Sequence, residues 1–198
     1  MNNHDKPVPG CVNKQTPSLS TYFTWNNNCL EGATAGQTLI NLDFFQWLHD
    51  EYGFILDIYT FDTGALDCYG ASFYGHLDSE RTKRQFPGGF GPIVQKAANM
   101  GTRLGIWCGP DGFGDTPEEE AARIKQMVDL CRVYHFKHFK LDGCCGPLRE
   151  EKDEAFIRMV TECRKYAPDL IIQNHCINLY RGLPFATTAF WGNSEMYI

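Results

Sequence analysis

The chain has 198 residues, 43% of them hydrophobic and 14% aromatic, which is enough apolar material for one sizeable globular core. A formal net charge of −6 and a pI near 5.5 argue against nucleic-acid binding, which needs clustered Lys and Arg to neutralise phosphates. No segment is apolar for long enough to cross a membrane, and residues 1–10 lack the features of an export signal. The chain as given therefore predicts a cytoplasmic protein, and a secreted or periplasmic location stays open for a longer parent.

Segments suited to strands alternate along the chain with segments suited to helices. Short runs rich in β-branched and aromatic residues predict the strands, and apolar residues at helical spacing predict the helices. We interpret residues 1–18 as a lead-in and residues 19–198 as one domain. In chain order the predicted elements are a strand at 20–25, a helix running towards Gly53, a strand at 54–61, a helix at about 90–100, a strand at 103–107, a helix from Pro117, a strand at 137–141, a helix ending before Pro168, a strand at 169–173 and a weaker strand at 186–191.

Three of the helices have apolar stripes that we expect to face the core. The helix after residue 116 also has the clearest N-terminus, because Thr116 suits the N-cap, Pro117 suits the first helical position and Glu119 completes a capping box. The stripes consist of Ile40, Phe44, Trp47 and Leu48 in the first helix, of Ile124, Met127, Val128 and Cys131 in the capped helix, and of Phe156, Met159, Val160 and Cys163 in the last.

Regular alternation of strands and helices predicts a parallel sheet, either doubly wound and open or closed as a (β/α)8 barrel. The segment after the first strand, "TWNNNCLEG", lacks the glycine fingerprint of a dinucleotide-binding sheet. Polar and aromatic residues also cluster at the C-terminal ends of the strands, where barrel enzymes assemble their active sites. A complete barrel needs about 250 residues, so we predict a barrel truncated to about its first six βα units.

The long segment 62–86, between the second strand and the next helix, is rich in glycine and aromatic residues. Loops of this length inside compact domains are usually functional. A packing loop that covers the top of the barrel explains the same composition, so both interpretations stay open.

The nine cysteines are odd in number and irregularly spaced, so at least one stays unpaired within the chain. We expect most to be reduced and to act as small apolar side chains, as Cys131 and Cys163 would on helix faces. Cys144 and Cys145 are adjacent, and no CxxC pair elsewhere completes a zinc site, so no structural metal is expected. A bridge from Cys108 to one of them stays open.

The rim residues suit carbohydrate chemistry, because aromatic rings stack on sugars while carboxylates bind hydroxyls or act as nucleophile and acid. No second histidine or acid stands at ligand spacing from His175, so we interpret it as a pocket wall, and His138 in the fourth strand as structural. The candidate rim residues are Trp25 and Asn26, Asp62, Trp107, Asp111, Asp142, Asn174 and His175.

Four segments together resemble the alpha-galactosidase (melibiase) superfamily, glycoside hydrolase families 36 and 27. They are "TYFTWNN", "FDTG", "RQFPGGFGPIVQKAANMGTRLGIWCGPDGF" and "FKHFKLDGC", in the family's order and at roughly its spacing within residues 20–178. The resemblance implies that Asp142 of the K-x-D motif is the catalytic nucleophile and that Lys140 binds sugar hydroxyls. It also implies that Asp62 is a sugar-binding carboxylate. Further pocket residues implied by the resemblance are Trp25, Trp107 and Cys176.

Lys140 stands two residues before Asp142, so both side chains should point to the same side of one strand. A nearby ammonium favours an ionised carboxylate, as a nucleophile requires. Taken without the surrounding motifs, the two residues are equally explained as a rim ion pair worth about 0 to 1 kcal/mol.

Two departures from the family pattern bear on function. Thr63 replaces the second aspartate of the family's D-D-G motif, so the preferred sugar is open. The family's acid/base is an aspartate after the sixth strand, where this chain offers only Glu195. Glu195 is either that acid, with a pKa raised by its pocket, or a solvated residue.

The leading hypothesis is a retaining glycoside hydrolase that acts on an oligosaccharide or glycoside through a covalent glycosyl-aspartate and needs no cofactor. A noncatalytic carbohydrate-binding homologue is the main alternative. An unrelated barrel enzyme would need a rim metal or a Schiff-base lysine, for which Lys140 beside an acid is poorly suited. A barrel without its final strands exposes unpaired edges, so we expect the chain alone to self-associate and to be poorly active.

Overall fold

The computed structural model describes residues 19–25, 27, 33–68, 74–175 and 186–190. Within these ranges six strands form one parallel sheet, and neighbours in the sheet are neighbours in the chain. A doubly wound sheet reverses its strand order, whereas a barrel adds each new strand on the same side. The order therefore confirms the predicted partial (β/α)8 barrel. The strands are β1 (Thr21–Phe23), β2 (Ile58–Phe61), β3 (Arg103–Cys108), β4 (His138–Asp142), β5 (Ile171–His175) and β6 (Thr188–Phe190).

The helices that connect these strands match most of the prediction. Thr116 and Glu119 form the predicted capping box. The stripe from Phe156 to Cys163 is buried as expected. One short helix, inside the segment read as a loop, was missed, although Ser79 caps it by accepting a hydrogen bond from the N–H of Thr82. The helices are α1 (Ala35–Tyr52), α2 (Glu80–Gln85), α3 (Gly91–Asn99), α4 (Pro117–Arg132) and α5 (Asp153–Tyr166).

The predicted buried face of α1 is wrong at three of its four residues, and of that stripe only Leu48 packs against the core. Ile40, Phe44 and Trp47 are 62%, 53% and 47% exposed, while Leu42 and Phe45 are buried. Apolar residues occur on several sides of this helix, so its sequence alone does not single out one stripe. The sheet selects the face of Phe45, whose ring meets Tyr22 and Tyr59 edge-on. An apolar aromatic strip is thereby left on the surface of α1. None of the described helices is both long and apolar enough to cross a membrane.

Side chains of the strands alternate between the helix layer and the barrel interior. Phe139 and Leu141 are fully buried against the helices, in the main core. On the opposite face Thr60, Gly105 and His138 lie side by side in register. A Cβ on Gly105 would approach Thr60 Oγ1 to 2.5 Å and His138 Nδ1 to 2.7 Å, so only glycine leaves room for that contact.

His138 is held in the interior by two hydrogen bonds. Its Nδ1 lies 2.8 Å from Thr60 Oγ1 and its Nε2 lies 2.9 Å from Gln173 Oε1. Burial lowers the pKa of His138 to about 4. In the unfolded chain a histidine binds its proton near pH 6.5. The unfolded state thus binds more protons between about pH 6.5 and pH 4, and stability is lost as the pH falls through that window.

We expect a His138→Gln variant to be less stable than the wild type near pH 7, with the difference shrinking by roughly 2 to 3 kcal/mol towards pH 4.5. Urea unfolding at several pH values measures this change. The matched control is His49→Gln, which makes the same substitution at an exposed histidine. Parallel stability curves for the wild type and His138→Gln would contradict the interpretation.

Candidate active site

The C-terminal ends of β2, β3 and β4 bring the main predicted residues to one rim. Asp62 directly follows β2, Trp107 lies near the end of β3, and Lys140 and Asp142 lie on β4. Trp107 and Lys140 are register partners, so they stand in the same layer of the interior. This grouping agrees with the prediction that one rim collects these side chains.

Asp62 and Lys140 form a buried ion pair. The distance from Lys140 Nζ to Asp62 Oδ2 is 3.2 Å, and the two side chains are 12% and 1% exposed. The Lys140 ammonium also lies 5.1 Å from the centre of the Phe23 ring, at cation–π distance. The N–H of Asp62 donates to Thr24 Oγ1, which fixes the backbone at this point. Lys140 therefore pairs with Asp62, whereas the sequence led us to expect its charge beside Asp142.

Asp142 is oriented by two N–H donors. The indole Nε1 of Trp107 donates to Oδ2 at 3.1 Å, and the N–H of Cys144 donates to Oδ1 at 3.1 Å. The carboxylate is half-buried at the end of its strand, while Trp107 is only 1% exposed. Trp107 was predicted to line the pocket. Its indole N–H also donates to the candidate nucleophile, a contact that the sequence could not predict because it depends on strand register.

Asp111 is engaged by a loop rather than presented to the rim. Arg149 donates from Nε and from its backbone N–H to Oδ2 and from a terminal nitrogen to Oδ1. The N–H groups of Gly112 and Phe113 also donate to Oδ1. Burial raises the pKa of this carboxyl, but the hydrogen bonds from Arg149 and the two backbone groups outweigh burial and hold the pKa below its ordinary value. This clamp joins the loops after β3 and β4.

Asn174 does not face the rim, which corrects the prediction. It is 2% exposed, and its register partner on β4 is Leu141, whose side chain lies in the outer core. Neighbours in register share a face, so Asn174 points towards the helices. Trp25 lies two residues beyond the end of β1 and is 42% exposed. The side chain of His175, together with Asn26, Cys176 and Glu195, lies outside the described residues.

A second buried ion pair, between Asp67 and Arg123, was missed. Arg123 donates to both carboxylate oxygens, at 2.7 and 3.2 Å, and the two side chains are 4% and 0% exposed. The same carboxylate accepts from the N–H groups of Gly75 and Gly109. The pair thus ties the β2 loop to β3 and α4. Nothing in the local sequence distinguishes these two residues from solvated charges.

A cleft of about 610 Å³ is lined by α4 and by the loops after β2, β3 and β4. The Asp111–Arg149 clamp borders it, and Asp62, Lys140 and Asp142 are absent from the described lining. Its lining includes Tyr74, Asp111, Arg123, Gln126, Cys145 and Arg149.

Comparison with known proteins yields matches in structure alone. No protein-family model and no curated protein matches the sequence. The alpha-galactosidase of Thermus thermophilus, solved with stachyose, superposes with a TM-score of 0.59 at 13% identity and covers 92% of this chain and 45% of that one. An alpha-galactosidase from Lactobacillus brevis gives 0.56 at 12% identity (90% and 30%), and alpha-galactosidase I from Mortierella vinacea gives 0.54 at 16% (89% and 42%).

These matches define the class of fold. The chain has the barrel fold found in alpha-galactosidases, as the sequence motifs predicted. It spans less than half the length of each of the three matched proteins.

Proposed function

We propose that this chain carries the catalytic barrel of a retaining glycoside hydrolase of the alpha-galactosidase type. The observation that carries the proposal is the half-buried carboxylate of Asp142, aimed by the indole of Trp107 at the end of β4. In the neighbouring layer of the same rim, Lys140 and Asp62 supply a hydroxyl-binding donor and acceptor. Trp25 offers an exposed ring on which a sugar can stack.

In the proposed reaction Asp142 attacks the anomeric carbon and forms a glycosyl-aspartate ester. An acid on the opposite face, for which Glu195 is the candidate, protonates the leaving oxygen and then activates the water that hydrolyses the ester. The indole N–H keeps the attacking oxygens oriented, which lowers the entropic cost of the first step. Neither a metal nor an organic cofactor takes part. We propose His175 and Cys176 as further walls of the pocket.

The proposal is tested by offering the intact protein p-nitrophenyl α-galactoside and following release of nitrophenolate. We expect turnover with the α-anomer of the free sugar formed first, because two displacements restore the configuration. Aryl β-galactoside and α-glucoside are the controls, and the second of these also tests what Thr63 does to sugar preference. An activated 5-fluoroglycoside should label the peptide that contains Asp142.

Absence of turnover and of labelling, with saturable sugar binding by NMR, would overturn the enzymatic proposal and support a carbohydrate-binding homologue. Labelling of a different carboxylate would overturn the role of Asp142 while leaving the activity intact. The two outcomes are therefore separable.

A further inference from the structure

A short turn supplies one of the hydrogen-bond donors that orient the Asp142 carboxylate. Residues Gly143–Cys145 form a 3-10 turn directly after β4, and Asp142 is the N-cap of that turn. The N–H of Cys144 donates to Asp142 Oδ1, whereas the indole that donates to Oδ2, that of Trp107, belongs to β3. A catalytic side chain keeps one orientation only while the hydrogen bonds that lock it stay in place. The position of the turn therefore bears on the candidate nucleophile.

The turn is held by non-covalent contacts. Cys144 and Cys145 are free thiols, as is Cys108, so the bridge from Cys108 that the sequence left open is not formed. A Cβ on Gly109 would lie 2.9 Å from Cys145 Cβ, so the end of β3 packs closely against the turn. The hydroxyl of Tyr74 donates to the carbonyl of Cys145 at 3.4 Å. A hydrogen bond of that length is weak, so these contacts alone restrain the turn only loosely.

The stronger anchor is Arg149, four residues beyond the turn. Its Nε lies 2.9 Å from Asp111 Oδ2, and its backbone N–H and a terminal nitrogen also donate to this carboxylate. Further N–H groups of the guanidinium reach Asp115 Oδ1 and the Gly114 carbonyl. The planar guanidinium fits a carboxylate at both oxygens, which makes the contact strong and directional. The Asp111–Arg149 clamp thus fixes the end of the segment that carries the turn.

On the β3 side the clamp rests on a carboxylate that is itself fixed. Asp111 accepts from the N–H groups of Gly112 and Phe113 in its own loop, and Phe113 is fully buried. With the three donors of Arg149, five N–H groups donate to this carboxylate. A carboxylate offers about four lone-pair sites, so little capacity is left for a sugar hydroxyl. The contacts favour a role for Asp111 in holding the β4 loop over the substrate contact that the sequence predicted.

We propose that the Asp111–Arg149 clamp is a positioning pair, which fixes the β4 loop and so keeps the N–H of Cys144 on the Asp142 carboxylate. Its catalytic consequence rests on the proposed function, in which Asp142 is the nucleophile. When the clamp is broken, segment 143–149 gains conformers in which the Cys144 donor has left Asp142. Fewer molecules then hold the carboxylate in the attacking geometry, where a misplacement of about 1 Å costs about 100-fold in rate.

This role has a different kinetic effect from a substrate contact. Lys140 and Asp62, which we propose bind the sugar, pair with each other, and their described hydrogen bonds do not involve the clamp. Loss of the clamp should therefore lower kcat and leave KM nearly unchanged. Loss of a sugar-binding carboxylate at Asp111 would instead raise KM.

The experiment compares Arg149→Met with the wild type, both as intact protein, first by amide hydrogen exchange. We expect the Cys144 amide to exchange about tenfold faster in the variant, while the amides of β4 stay protected. With p-nitrophenyl α-galactoside we expect kcat to fall about 10- to 100-fold and KM to stay within about twofold. Arg132→Met is the matched control, because Arg132 pairs with Asp129 at the surface and should change neither measurement.

A second variant covers the case in which Arg149→Met does not fold. Asp111→Asn keeps the shape of the side chain but removes the charge from its hydrogen bonds, so we expect a smaller change in the same direction. Circular dichroism verifies the fold of both variants.

Three results would each overturn the proposal: an unchanged exchange rate at Cys144 in the folded variants, a raised KM with kcat retained, or an equal loss of kcat in Arg132→Met. The exchange measurement needs no turnover. With an inactive wild type it still decides whether the clamp holds the turn, so failure here is distinguishable from failure of the proposed hydrolase activity.

Discussion

Replacing Asp142 with glycine is expected to reduce hydrolysis of p-nitrophenyl α-galactoside by the intact protein by roughly 10⁴-fold or more, as losses of catalytic nucleophiles do in other enzymes. Without the carboxylate no glycosyl ester forms. The space it vacates admits a small anion, so added azide should restore release of nitrophenolate and yield the β-galactosyl azide by a single displacement. Rate measurement with product analysis by NMR checks both expectations.

A second variant, Asp142→Asn, removes the charge of the carboxylate with little change in shape. Its matched control is Asp169→Asn. Asp169 lies at the opposite end of the barrel and pairs with Arg103 and Lys137 at the surface. Its loss should leave turnover within about twofold, because exposed ion pairs contribute about 0 to 1 kcal/mol to stability and this pair does not contact the rim. Full turnover by Asp142→Asn would refute the nucleophile assignment, whatever the azide result.

Local signals predicted those parts of the fold that depend on local physics. The capping box at Thr116 forms because its two hydrogen bonds need only neighbouring residues. The stripe on α5 is unambiguous because the opposite face of that helix is charged. On α1 the face could not be predicted, since Phe44 and Phe45 are equally apolar and the strands packed against the helix decide between them.

The sequence predicted which residues reach the rim but not how they pair. Parallel strands end at one edge, so Asp62, Lys140 and Asp142 had to meet there. Whether Lys140 turns to Asp62 or to Asp142 depends on sheet register, which is non-local. The face of the sheet on which the Asn174 side chain lies likewise depends on where β5 begins. The predicted strand, residues 169–173, started before the observed one.

The buried Asp67–Arg123 pair could not be predicted from sequence because its two residues come from distant parts of the chain. Arg123 stands on α4 among charged residues and looks solvated in sequence, yet its guanidinium reaches a carboxylate of the β2 loop inside the protein. Desolvation makes such a pair costly to assemble, but removing one partner leaves an uncompensated buried charge. The Asp67 carboxylate also accepts from the N–H groups of Gly75 and Gly109, so this pair positions the β2 loop against the end of β3.

An Arg123→Met variant is therefore expected to lose about 3 to 5 kcal/mol of stability, equivalent to a fall of roughly 6 to 20 °C in Tm for a chain of this size. Circular dichroism during thermal and urea unfolding measures the loss. Arg158→Met is the matched control, because Arg158 pairs with Glu120 at the surface and should cost at most about 1 kcal/mol. Adding Asp67→Leu should recover only part of the stability, since the N–H groups of Gly75 and Gly109 then lose their acceptor. An Arg123→Met variant as stable as the control would show that the pair does not hold the β2 loop in place.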